Sequence, residues 1–244
     1  MKQFELTCVA YLKRDITFKE SFEILSKYIS FSMCQDRLLL SQHTSNIFNN
    51  YNFGGFYPIE KDKTYKRENS YSFTIRSVDE DFIDLMSNLL RLNINNPNLQ
   101  ILTTTKKIIH QNFITELYSA TPVIVTVPME DKKALYWTME QSGDIMLLQK
   151  QLHDNMEKKY NYFCNQKIKP IQNFIQLIEI KNTNPQTIQI TKNGKTVRLF
   201  GNKFKIVPNE DEVSQKLAFL SLGVGLGEKN SFGGGFMMSK GARR

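Results

Sequence analysis

Between Phe4 and Leu12 every second position is apolar or small, with Phe4, Leu6, Cys8, Ala10 and Leu12 on one side, the period of a half-buried strand. After Thr17 the period changes. Phe18, Phe22, Leu25, Ile29 and Met33 recur at helical intervals, and Glu20 stands three residues after Thr17 in a capping-box spacing. A polar stretch, Gln42-His43-Thr44-Ser45, leads to Gly54-Gly55, and a hairpin follows in which Tyr71, Phe73 and Ile75 alternate with Ser72, Thr74 and Arg76. Ser77 with Glu80 repeats the capping box ahead of Phe82, Met86, Leu89 and Leu90, a second helix that ends before Asn95-Asn96-Pro97. Leu99 to Thr105 closes the series as a strand.

The order β-α-β-β-α-β is that of a ferredoxin-like unit, in which two helices cover one face of an antiparallel sheet and leave the other face free. RNA-recognition folds work on that free face. The second half repeats the outline. It has a strand at Thr121–Val127, a helix at Ile145–Tyr160, and strands at Phe174–Ile180, Thr187–Ile190 and Thr196–Phe200. Asn193-Gly194 between the last two is a type I′ hairpin signal. Asn209 with Glu212 caps a last helix carrying Val213, Leu217 and Leu220. The fold class is therefore α+β, two tandem ferredoxin-like (RRM-like) domains, residues 1–116 and 117–244, meeting near Glu116.

The chain has 244 residues, enough for two such domains. Its 32 Lys+Arg against 24 Asp+Glu give a formal charge of +8, which favours polyanionic partners. Cys8, Cys34 and Cys164 form no CxxC pair, so neither a disulfide framework nor a cysteine zinc site is indicated and a reducing cytoplasm fits. No apolar run reaches the ~18 residues of a membrane span, and no helix has an aromatic and basic membrane face, so a membrane partner is disfavoured.

Three features carry candidate chemistry. Six of the twelve glycines lie between Gly223 and Gly235, a density that frees backbone N–H groups for a phosphate chain. Gly223, Gly225 and Gly227, with Lys229, Asn230 and Ser231, are the expected contacts. The segment follows a helix near the C-terminus and contains no Gly-Lys-Ser/Thr, so it is neither a dinucleotide fingerprint nor a Walker loop. Ile180 to Asn209 has no acidic residue but holds Lys192, Lys195, Arg198, Lys203 and Lys205, a surface suited to neutralising phosphates. Of the three histidines, His110 and His153 sit in patterns that read as surface or packing. His43 lies in a polar segment past the first helix, where a side chain can face a cleft. No histidine or carboxylate cluster points to a metal, and no cofactor is expected.

Gly223–Phe236 closely resembles the C-terminal glycine-rich signature of the CRISPR-associated repeat-RNA endoribonucleases. The resemblance also takes in Tyr57-Pro58-Ile59-Glu60-Lys61-Asp62-Lys63, Tyr71–Ser77 and Ser119-Ala120-Thr121-Pro122, and looks like members linked to type I-B systems. It implies metal-independent cleavage of a repeat transcript at the base of a hairpin, giving 2′,3′-cyclic phosphate and 5′-hydroxyl ends. It also implies a catalytic histidine at the place of His43 and a helix tyrosine near it at Tyr28. Related members have a lysine a few residues beyond the histidine. This chain has Ile47-Phe48-Asn49-Asn50 there, which leaves Lys61 or Lys63 as a cationic helper or as surface phosphate contacts. His43 would serve as general base for the 2′-hydroxyl or general acid for the leaving oxygen. The implied partners are the repeat hairpin, subunits of an interference complex and a second copy of the chain. The rival reading is a non-catalytic RNA-binding scaffold on the same fold.

Overall fold

The structure, a computed structural model, describes residues 1–44, 48–128, 134–192 and 194–241, and of residues 42–44 and 134 it describes the backbone alone. The first half builds a four-stranded antiparallel sheet from β1 (Lys2–Leu12), β3 (Tyr51–Phe53), β5 (Ser70–Ser77) and β6 (Leu99–His110), in the order β3-β5-β1-β6. Two further strands, β2 (Ile16–Thr17) and β4 (Thr64–Tyr65), pair beside it. The alternating residues of β1 face α1 (Phe18–Met33) and α3 (Glu80–Leu92), and Leu6, Cys8, Ala10 and Leu12 are fully buried there. A short α2 (Arg37–Thr44) is pinned to this core by Leu39.

Thr17 is the N-cap residue of α1, but its hydroxyl donates to the Glu20 carboxylate at 2.9 Å and accepts no hydrogen bond from the helix backbone. The other two caps differ from expectation. Asp79, not Ser77, accepts from Phe82 N–H at 3.1 Å, because it lies three residues before that donor. Asp211, not Asn209, accepts from Ser214 N–H at 3.0 Å for the same reason.

The second sheet holds β7 (Ile114–Ser119), β10 (Ile175–Ile180), β13 (Phe204–Pro208) and β14 (Met237–Gly241), ordered β10-β13-β7-β14. With α4 (Ile145–Phe163) after β7 and α5 (Glu212–Val224) after β13, it repeats the first unit's connection order and strand order. The chain crosses from one sheet to the other between His110 and Ile114, so Glu116 lies inside the second unit. The expected strand at Thr121–Val127 is instead a connection ending in β8 (Thr126–Pro128), which pairs with β9 (Ala134–Tyr136). The first-strand place that it was expected to fill is taken by β7, which lies between β13 and β14.

Between β10 and β13 the hairpin β11 (Gln186–Lys192) and β12 (Lys195–Gly201) stands apart from both sheets. Lys192 and Lys195 face each other at its closing pair, and Gly194 has φ +73°. Asn193 lies outside the described residues. The hairpin's apolar face, Ile188, Ile190 and Leu199, joins the core of the first domain, and Thr191 N–H donates to the Glu23 carboxylate on α1 at 3.0 Å.

The second face of the first sheet is not free throughout. Helix α5 lies across it, where Gln3 Nε2 donates to Phe219 O at 2.5 Å and Asn52 Nδ2 to Leu222 O at 3.3 Å. Arg76 completes this seam. Its guanidinium bonds Glu5 at 2.8 Å and Met237 O at 2.6 Å, and lies 4.5 Å from the Phe236 ring centroid.

Candidate nucleic-acid interface

The glycine-rich segment starts within α5 and runs to β14, and it is largely internal. Gly225 has φ +78°, and a Cβ there would stand 2.4 Å from Asn230 Nδ2. Gly227 has φ +71°, with Ile124 O at 2.6 Å from the same position. Only glycine meets both demands. Gly223 packs against the Gln3 side chain in the domain seam.

For Gly225 the expectation of an N–H freed for phosphate is corrected by where that group points, and its neighbours along the segment are engaged in the same way. Gly225 N–H donates to Ser221 O, Leu226 N–H to Gly235 O, Glu228 N–H to Ile124 O and Gly235 N–H to Pro122 O. Glycine lets the backbone fold onto itself here. Asn230 is likewise buried, its amide donating to Gly234 O at 2.8 Å and Leu226 O at 3.3 Å. Of the six predicted contacts, Lys229 is exposed and Ser231 half-buried, both at the tip of the turn. Ser26 on α1 donates to Ser231 O at 2.9 Å, tying that tip to the first domain.

Lys159, which the sequence reading passed over, holds the loop from inside. Its Nζ donates to Gly225 O at 2.8 Å, Gly227 O at 2.7 Å and Asn230 Oδ1 at 2.8 Å. Burial pushes its amine down to about 7, against the upward pull of the Glu228 carboxylate. A signal was available: Leu148, Leu152, Met156 and Lys159 recur at helical spacing, placing a lysine on an apolar stripe. Glu228 is itself held by the Thr126 hydroxyl at 2.6 Å and N–H at 3.0 Å.

The tip borders a cleft of about 300 Å³, walled by Lys229, Ser231 and Phe232 and by Phe48 and Asn49, where the chain returns after α2. Asn155 and Lys159 of α4 line its inner side. Position 43 belongs to α2, and the side chain of His43 lies outside the described residues. Tyr28 does not reach a cleft. It is fully buried, and its hydroxyl faces Leu90 O at 2.7 Å and Asn93 O at 3.2 Å, joining α1 to the end of α3. Burial raises it to about 12. Its predicted place beside the reacting atoms is therefore corrected to a packing role. His153 is also structural, its Nδ1 accepting from Phe174 N–H at 3.1 Å and its ring stacked on Phe174.

The basic residues divide into separate places. Lys63, Arg198 and Lys203 come together with Lys19 around a groove of about 420 Å³ at the N-terminal end of α1, beside Phe18 and Phe200. Glu20 and Glu23 on the same helix are already paired, with Arg14 at 2.6 Å and Lys27 at 2.5 Å. Lys203 is half-buried, which lowers its amine. Lys192 and Lys195 are exposed at the hairpin tip, and Lys61 is exposed near Lys63. Lys205 departs from expectation, because its ammonium is 2.6 Å from Glu116 on the neighbouring strand and its charge is neutralised there. Lys63 lies at the end of α1 away from α2, so it belongs with this groove. Among the described residues no three His, Cys, Asp or Glu side chains converge as a metal site, and no helix is long and apolar enough to cross a membrane.

Comparison with known proteins gives a consistent picture. Residues 103–238 match the family model described as CRISPR associated protein Cas6, C-terminal. A curated relative from Methanocaldococcus jannaschii, CRISPR-associated endoribonuclease Cas6 2, is 26% identical, with 93% of this chain and 98% of the relative covered. Among solved structures, a CRISPR associated protein Cas6 superposes with a TM-score of 0.71 at 19% identity, covering 98% of this chain and 99% of its own. A Cas6-related protein from Pyrococcus furiosus does so at 0.67 and 14%, with 98% of each chain covered. A Cas6 product complex gives 0.65 at 9% identity, with 98% of this chain and 99% of the other covered.

Proposed function

Because this chain belongs to the CRISPR-associated Cas6 family, and so is an endoribonuclease that processes CRISPR repeat RNA, we propose that it cuts a repeat hairpin by attack of a ribose 2′-hydroxyl on the adjacent phosphorus. The observation that carries the reading is the family match over residues 103–238. A reaction near the loop tip is supported by the cleft that Lys229 and Ser231 share with Phe48 and Asn49 of the segment that follows α2.

In this reaction the 2′-oxygen loses its proton, the P–O5′ bond breaks, and the departing 5′-oxygen gains a proton. The products are a 2′,3′-cyclic phosphate and a 5′-hydroxyl. An imidazole titrating near neutrality can take up the first proton or supply the second, and His43 is the candidate on α2. Lys229 at the tip and the exposed hairpin lysines Lys192 and Lys195 supply phosphate contacts, which fix the RNA without reading its sequence. The groove with Lys19, Lys63, Arg198 and Lys203 offers a second stretch of positive surface. The reaction draws on no metal or cofactor and takes place in the cytoplasm, where the transcripts are.

The test is to incubate the protein and His43→Ala with an end-labelled repeat hairpin in EDTA, beside a copy carrying a 2′-deoxy sugar before the cut. Cleavage by the parent alone is expected, with a loss of about 10²-fold or more in the variant and none of the deoxy RNA cut. Tight binding by the parent without cleavage would instead identify a scaffold.

A further inference from the structure

The ammonium of Lys159 is buried and satisfied entirely by the glycine-rich turn. Its three acceptors, two main-chain carbonyls and the Asn230 amide oxygen, converge on one point. Three oxygens turned inward to a single site repel one another and stand unpaired unless a cation with three donors occupies it, and a lysine ammonium has that number. The conformation that turns them inward is itself unusual. Gly225, Gly227 and Lys229 all have positive φ, Lys229 at +58°.

Other contacts fix the far side of the turn. Ser26 holds Ser231 O from α1, and Gly233 packs against Phe22, where a Cβ would stand 2.5 Å from the ring. The tip is therefore stretched between two domains, with Lys159 of α4 as its anchor on one side and α1 on the other.

We propose that Lys159 is a positioning residue, whose three hydrogen bonds set the turn from Gly225 to Asn230 so that Lys229 and Ser231 are presented to the RNA. The proposal rests on the reading that this tip meets RNA. Lys159 itself acts through the turn. Glycine in the signature supplies the freedom to bend, and this lysine selects which bend is occupied.

A double-mutant cycle separates positioning from general stability. Affinities for a non-cleavable 2′-deoxy hairpin are measured for the full-length protein, Lys229→Ala, Lys159→Met and the double variant. Lys229→Ala is expected to weaken binding about fivefold in the parent and less than about twofold in the Lys159→Met background, a coupling of the size seen for residues in one network. Equal losses in both backgrounds would overturn the proposal while leaving the RNA reading of the tip intact. No loss in the parent would show that the tip does not meet RNA, and both would fall. Should Lys159→Met not fold, the parent labelled with ¹⁵N at lysine Nζ decides the matter. The Lys159 ammonium resonance is expected to shift on adding the deoxy hairpin, and an unchanged resonance would sink the idea.

Discussion

At the scale of single residues, burial decides which polar groups are free to act. Tyr28 occupies a helix position from which a hydroxyl can reach a cleft in principle, yet it is fully buried and faces two carbonyls of the α3 terminus. Tyr28→Phe is expected to cost about 0.5–1.5 kcal/mol in urea unfolding, the net worth of one hydrogen bond, and to leave the cleavage rate within twofold. A tenfold slower rate with stability unchanged would return the residue to the reaction. Glu116 shows the opposite case, a carboxylate on the sheet surface held by Lys205 and Tyr118 and thereby lowered to about 2 from an ordinary 4.5. A lowered carboxyl contributes stability that is present above pH 4.5 and is lost as pH falls towards 2. The urea midpoints of the parent and Glu116→Gln should therefore differ above pH 4.5 and converge near pH 2, and a gap that persists at pH 2 would assign the effect to packing.

At the scale of elements, the hairpin of β11 and β12 carries the largest consequence. By chain order it belongs to the second domain, while its apolar residues pack into the core of the first. That leaves Lys192 and Lys195 exposed at the tip, where replacement disturbs no core. If each contacts one phosphate, Lys192→Ala with Lys195→Ala should flatten the slope of log affinity against log salt by about 1.4–1.8. The urea midpoint should not move. An unaltered salt slope would remove the hairpin tip from the RNA path. The element boundaries also show how local chemistry is redistributed. Ser77 and Asn209 carry capping side chains, but the Asp residues two positions on stand at the right distance from the helix amides and take that role.

At the scale of the whole molecule, the two units are joined by polar groups buried in a common seam. Gln3, Asn52 and Arg76 of the first sheet bond carbonyls of α5 and β14, and the glycine turn closes between α4 and α1. Seams of this kind couple the unfolding of the parts they join. The single tryptophan, Trp137, lies in the second core, so its fluorescence reports that domain, whereas far-UV circular dichroism reports both. One urea midpoint shared by the two signals is expected, and two separated midpoints would mean that the seam does not couple the domains.

Much of this architecture was legible along the chain because it is written in short-range periodicity. Alternation in β1 and the stripe from Phe18 to Met33 depend only on which face each residue presents, and they predicted the elements that form. The glycine density between Gly223 and Gly235 likewise marked a backbone that must bend sharply. What the bend serves depends on partners far away in sequence, and no local pattern carries that information. Whether an amide meets phosphate or Ile124 O, whether Lys205 is free or paired with Glu116, and whether Lys159 faces water or three oxygens follow from which strands and helices become neighbours. The sequence by itself determined the first βαββαβ unit, the two helices of the second and the positive charge, whereas β7, β13 and β14 of the second sheet emerged only from strand pairing. Tertiary structure alone decided which of the charged and polar groups are consumed in holding those units together, because burial and pairing are properties of contacts between distant segments.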